Sequence, residues 1–376
     1  MNKIITSLFV IILCSSCSEK KQTMDKAIDS LAVVTAPKLE VYSFANKNGI
    51  TMTVTNFGGR IISLVVPDKN GKPGDVVLGF DSAKQYVTGG GVYGATIGRF
   101  GNRIGKGKFK IDGAEYQLAI NNGINSLHGG PTGFHKQFWQ ATPIKNGEAN
   151  ALELRYKSVD GEEGYPGTLD VKVVYTLTNE NEVVIDYEGT TDKPTIINLT
   201  NHSFFNLAGE GVGDILAHQF IIYADFFTPV DEGLIPTGEI RSVKGTPFDF
   251  LKQHSVGERI DGDHEQLKFG KGYDHNWVLN KKEAGSLTLA ATVTEPISGR
   301  VMEVFTTEPG MQFYTGNFMS GKDIGKSGKP YLYRSAFCLE TQHFPDAPNH
   351  ENFPSTILRP GETYTSKTIY KFGVIK

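Results

Sequence analysis

The chain has 376 residues, 39% apolar and 21% charged, a balance that supports a packed core and excludes a disordered chain. Its formal net charge of −3 carries no basic footprint, which argues against a nucleic-acid partner. The 43 glycines and 11% aromatic residues point to many turns and to pleated, half-buried surfaces.

At the N-terminus, Lys3 precedes "IITSLFVIILC" (4–14), an apolar run too short to span a bilayer. Ser15 and Ser16 stand directly before Cys17. Residues 1–17 therefore resemble a bacterial lipoprotein signal, with Cys17 becoming the lipidated first residue. Cys14 stands where an aliphatic residue is usual; a plain secretory signal and an uncleaved anchor are the alternatives. The polar run 18–38 reads as a tether and 39–376 as a single catalytic domain. The expected location is an exported, membrane-anchored position facing the periplasm, with the lipid as the membrane contact.

From about residue 40 onward, period-two patterns dominate. "DSAKQYV" (81–87) allows one or two helical turns. "KFKIDGAEYQLA" (108–119) reads as a hairpin: Phe109 and Ile111 alternate with lysines, Asp112-Gly113 turn, and Tyr116 and Leu118 resume. In "TLDVKVVYTLTNENEVVIDYEG" (168–189), Leu169, Val171, Val173, Tyr175 and Leu177 share one strand face, and Asn179 to Asn181 turn the chain. Val183, Ile185 and Tyr187 then line the return. "TPFDFLKQHSVGERI" (246–260) reads as a short helix, with Thr246 as its cap and Pro247 in the first turn. "GRVMEVFTTE" (299–308) and "ETYTSKTIYKFGV" (362–374) are further strands. Strands do not alternate with long helices, which disfavours parallel βαβ sheets. The fold expected is all-β, a large antiparallel β-sandwich with few short helices.

Polar residues gather in five stretches: "GRFGNRIG" (98–105), "NSLHGG" (125–130), "TNHSFFNL" (200–207), "GYDHNWVL" (272–279) and "CLETQHFPDAPNHENFP" (338–354). Each has an ordinary structural reading. Arg99 and Arg103 suit a surface, His128 a turn, and Asp274-His275 a strand cap. His202, beside Phe204 and Phe205, suits a core. Glu340 fits structure least, because a carboxylate closing an apolar strand needs a partner or a task. His202, His275, His343 and His350 lack metal-ligand spacing, and Gly89-Gly90-Gly91 lacks a phosphate-loop context, so neither metal nor cofactor is expected. Cys338 lies in an apolar run with no base beside it and reads as a small core residue.

Taken in order, "GRFGNRIGKGKF", "NSLHGG", "TNHSFFNLAG", "GYDHNWVL", "PGMQFYTGN" and "LETQHFPDAPNH" resemble the aldose 1-epimerase, or galactose mutarotase, family. The resemblance runs from "TVTNFGGRIISLVVPDKNG" to "PSTILRPGETY". It implies a mutarotase-like supersandwich that interconverts the α and β anomers of free aldohexoses such as galactose and glucose, without a cofactor. It also implies Glu340 as base, His202 as acid, and Asn102, Arg103, His128, Asp274 and Gln312 as sugar-binding residues. Such a reaction needs only one base and one acid, because the ring opens by losing a proton at the anomeric hydroxyl and gaining one at the ring oxygen. Phe204 or Trp277 would pack on an apolar sugar face. The alternatives are a hexose-6-phosphate epimerase, a non-catalytic carbohydrate-binding sandwich and a metal-dependent isomerase, which loss of activity on chelation would reveal. A monomer is the default expectation.

Overall fold

Where apolar residues recur at every second position, the chain forms sheet. The computed structural model describes residues 37–89 and 91–375; the expectations for residues 1–36, including lipidation of Cys17, fall outside them. The largest sheet has nine antiparallel strands, in the order Gln140–Asn146, Ala149–Ser158, Leu169–Leu177, Glu182–Thr191, Tyr364–Val374, Arg300–Thr306, Thr288–Thr294, Gln219–Ile222 and His254–Ser255. Leu169, Val171, Val173, Tyr175 and Leu177 are all buried, as are Val183, Ile185 and Tyr187 on the returning strand. Tyr175 faces Ile185, and Val173 faces Tyr187. The strand Tyr364–Val374 inserts between strands from the two halves of the chain and so binds them into one sheet.

A second sheet of five strands runs Arg241–Ser242, Phe226–Thr228, Asp274–Val278, Gly310–Tyr314 and Cys338–Gln342. Its apolar face packs on the large sheet: Phe313 stacks on Phe220 at 4.6 Å, and the Tyr370 hydroxyl donates to the Leu339 carbonyl at 3.1 Å. A four-stranded sheet (Val41–Ala45, Thr51–Thr55, Arg60–Pro67, Pro73–Asp75) adds Met52, Val54 and Leu64 to the same core. The all-β sandwich is therefore as expected. The hairpin Lys108–Ile111 with Ala114–Gln117 also forms, its turn carried by positive φ at Asp112 and Gly113.

Among the described residues there are two short α-helices, Ala83–Gly89 and Glu265–Gly270, and none is long and apolar enough to cross a membrane. The first falls on "DSAKQYV"; the second was not anticipated. The helix expected over 246–260 does not form. Thr246 does accept from the Phe248 amide at 3.1 Å, as a cap would. However, Phe248 and Phe250, two apart, are both buried, a spacing that a helix face cannot serve. Phe248 stacks on Phe227 at 4.4 Å, and its carbonyl accepts from Trp277 Nε1, so tertiary packing overrides the cap. A single 3₁₀ turn, Val256–Glu258, remains.

Gly129 joins the fold to the polar stretches. It has φ +80°, and a Cβ there would lie 1.9 Å from the Gly98 carbonyl oxygen. Gly129→Ala should cost at least about 2 kcal/mol and lower the melting temperature by several degrees. Calorimetry checks this, and an unchanged transition would contradict the close approach.

Candidate active site

Three strands of the five-stranded sheet, Asp274–Val278, Gly310–Tyr314 and Cys338–Gln342, are buried on both faces, and their alternation separates two kinds of surface. His275, Trp277, Met311, Phe313 and Leu339 point into the core. Asp274, Asn276, Gln312, Cys338, Glu340 and Gln342 occupy the alternate positions. Asn276 pairs with Gln312 and Gln312 with Glu340, so these three form one rung across three strands. Asp274, Tyr314 and Cys338 form the adjacent rung.

The remaining candidates reach this polar face from elsewhere. His202 ends the strand Thr200–His202, which pairs with Ala95–Ile97, and its Nε2 lies 3.5 Å from Glu340 Oε1. Asn102 and His128 both have left-handed backbones (φ 64° and 52°) and hold each other: the Asn102 amide donates to His128 Nδ1 at 3.2 Å, and the His128 amide to the Asn102 carbonyl at 3.0 Å. The Asn102 side-chain oxygen accepts from the Arg103 amide at 2.8 Å. Arg103 donates from Nε to Asn122 and places Nη2 3.6 Å from Asp274 Oδ2. Gln312 Nε2 donates to Asp274 Oδ1 at 2.8 Å. The His128 and His202 rings meet edge to face at 5.0 Å. All seven candidate residues thus gather in one place.

Electrostatics there are those of a dry site. Burial pushes the Glu340 carboxyl well above its ordinary range; the Asp274 charge adds to this and Arg103 opposes it. Burial lowers His202 to about 3, against a hydrogen bond to its own backbone, with Arg60 lowering it further. His128 is likewise held well below its usual value, chiefly by burial. Burial therefore disfavours charge on both partners of this contact. Glu340 Oε2, Gln312 Oε1 and both polar atoms of Asn276 and of Gln342 are buried without a protein hydrogen-bond partner. Buried polar groups of this kind normally have partners, so the face is built to meet a polar ligand or water.

Three ligand-capable atoms, from His128, His202 and Glu340, lie within 4.8 Å of one another. They fit a metal poorly. His128 Nδ1 accepts the Asn102 N–H, so the neutral ring carries its proton on Nε2 and offers the pocket a donor where a metal needs a lone pair. His343 and His350 lie apart, paired with Glu308 and Asp346. A cavity of about 980 Å³ elsewhere on the domain contains none of the seven residues. On its wall, burial disfavours charge on His343, but Glu308 outweighs it and raises the pKa. That pair is a buried ion pair, apart from the seven residues gathered around His202 and Glu340.

Three expectations change. Arg99 is neither a surface nor a site residue; it is buried and donates to the Pro166 and Gly167 carbonyls, Thr195 and Ser158. Trp277 is on the core face, away from the site. Phe204 stacks on His202 at 4.8 Å and so braces the imidazole. Asn276, Gln342 and the placement of Cys338 were missed, although each is two residues from a predicted site residue and period-two alternation puts it on the same face.

The description aldose 1-epimerase belongs to a family model that matches residues 40–371. Galactose mutarotase from Bos taurus is 48% identical over 325 residues, covering 86% of this chain and 92% of the relative. Aldose 1-epimerase from Escherichia coli (strain K12) is 39% identical over 329 residues, covering 87% and 93%. The crystal structure of a GalM/aldose epimerase homologue from C. elegans superposes with a TM-score of 0.82 at 31% identity, covering 90% of this chain and all of that one.

Asp274→Asn should lower the Glu340 pKa, because it removes the charge that raises it and frees Arg103 to act alone; Arg103→Leu should raise it. Carbon-13 titration of labelled glutamates reads both, and shifts of the opposite sign would contradict the placement of these charges.

Proposed function

The chain belongs to the aldose 1-epimerase family and interconverts the anomers of aldoses, and from that premise we propose that Glu340 and His202 carry the reaction as a pair sharing one proton. The observation that supports this reading is their 3.5 Å contact in a buried, polar-lined site. The ring oxygen and the anomeric hydroxyl are bonded to the same carbon. The groups that serve them must therefore be neighbours.

Opening begins with the proton on His202. Glu340 as carboxylate takes the anomeric hydroxyl proton while His202 gives its Nε2 proton to the ring oxygen, and the C1–ring oxygen bond breaks to leave an aldehyde. The pair is now a neutral acid and a neutral imidazole, the form that burial favours. After rotation about C1–C2, Glu340 returns its proton to the carbonyl oxygen, His202 takes one from the chain hydroxyl, and the ring closes on the other face. Sugar hydroxyls donating to Glu340 help the carboxylate form, since hydrogen bonds to the charged state favour it. Asp274 accepts from sugar hydroxyls, while Arg103, the His128 Nε2–H, and the amides of Asn102 and Gln312 donate. Free aldohexoses such as galactose and glucose are the proposed substrates. Arg99, one of the few basic residues in the motifs, is committed to backbone carbonyls, which disfavours a phosphorylated sugar.

The acid pair works while it holds one proton. Below about pH 3, His202 charges and no base remains; above the raised Glu340 pKa, no acid remains. The kcat/KM profile should therefore be flat from about pH 5 to neutrality, where an unperturbed histidine would titrate. Glu340→Gln and His202→Asn should each lower kcat by about 10²–10⁴ with the fold retained. Polarimetry from pure α-anomers measures these rates, and a near-normal rate in either folded variant would refute its role.

We also propose that the chain is exported and lipidated at Cys17. Support comes from the apolar run ending at Ser15-Ser16-Cys17, together with a family match that begins only at residue 40. Mass spectrometry of the mature N-terminus should show an acylated Cys17; an unmodified N-terminus beginning elsewhere would contradict it.

A further inference from the structure

Beside the hydrogen bond to its own backbone, the His202 ring is held by three side chains. Nε2 faces Glu340 at 3.5 Å, Phe204 stacks on one face, and Nδ1 lies 3.5 Å from Cys338 Sγ. We propose that Cys338 is a positioning residue: its sulfur accepts a hydrogen bond from His202 Nδ1–H and locks the imidazole in the tautomer that leaves Nε2 free to exchange protons with the sugar. The inference rests on His202 as the acid and extends that reading.

One nitrogen can act as acid on opening and as base on closure only if the other keeps its proton throughout. Once Nε2 has given its proton to the ring oxygen, the neutral ring must be the Nδ1–H form. If the proton moved to Nε2, the lone pair needed for closure would be lost. An acceptor at Nδ1 prevents that move. Cys338 suits the task because burial, with the charges of Glu340 and Asp274, holds its pKa well above the usual thiol range. The sulfur is therefore a neutral, soft acceptor that adds no charge to the site. It sits two residues before Glu340 on the same strand face, so one strand carries both the base and the group that sets the acid.

His128 sharpens the contrast. Its Nδ1 accepts from the Asn102 amide, which places its proton on Nε2. The two rings, 5.0 Å apart, are thus set in opposite tautomers by opposite neighbours. His128 is fixed as a donor, and His202 as a group whose Nε2 alternates between acid and base.

The test compares Cys338→Ser, which keeps an acceptor, with Cys338→Val, which keeps the volume but removes it. Nitrogen-15 two-bond correlation spectra report the His202 tautomer independently of activity. The wild type and Cys338→Ser should show the Nδ1–H form. Cys338→Val should show a mixture, a kcat about tenfold lower, and KM within about twofold. Wild-type His202 in the Nε2–H form would overturn the proposal. So would a Val variant with a normal tautomer, or one that outperforms Ser, since packing alone would then explain the contact. A shifted tautomer with unchanged kcat in Cys338→Val would leave the lock standing and count against His202 as the acid.

Discussion

Two titratable side chains, His202 and Glu340, meet at 3.5 Å where water is nearly excluded, and this contact constrains much of what surrounds it. A carboxylate and an imidazolium cannot both persist there without support, because desolvation penalises each charge. Burial raises the Glu340 pKa and lowers that of His202, so it works against charge on either. The reaction needs the charged form to be only a short step away. Arg103 supplies an opposing charge near Glu340, Asp274 restrains that effect, and Gln312, paired with Glu340, holds Asp274 from the adjacent rung. The proposed reaction, a reversible ring opening, asks of such a site that a proton move in either direction at small cost.

A sheet buried on both faces makes the arrangement rigid. In Asp274–Val278, Gly310–Tyr314 and Cys338–Gln342, one set of alternate residues anchors in an aromatic core and the other forms the polar face that carries Glu340. The core side uses large rings: Phe313 contacts Phe220, Phe250, Tyr273 and Trp277. Shifting one strand by a residue would exchange these two sets, so the packing that stabilises the domain also fixes the register of the site. Gly310 opens the rung beside Asn276 and Gln342, since a Cβ there would lie 2.5 Å from Asn276 Oδ1. Loops then bring His128 and Asn102 to this face through a mutual pair of hydrogen bonds.

Much of this was legible in the sequence because strand alternation is local. The hairpin at Asp112-Gly113 and the long strands from Leu169 to Thr191 follow from period-two patterns and turn residues. That the seven candidate residues would gather was legible through their motifs and through the oddity of a carboxylate in an apolar strand. What failed was set by distant packing. Nothing near Thr246 announces that Phe227 and Trp277 will hold Phe248 in a non-helical path. Arg99 looked like Arg103 in sequence, yet one is spent on backbone carbonyls and the other faces Asp274. Asn276 and Gln342 were overlooked because amides in a strand are unremarkable until both faces prove buried.

The central claim is that Glu340 and His202 act as one unit, and a double-mutant cycle in kcat tests it most directly. If the pair shares one proton, Glu340→Gln, His202→Asn and the double variant should lose rate to a similar extent, because removing either member disables the whole. Losses that multiply in the double variant would show two independent contributions and contradict the account.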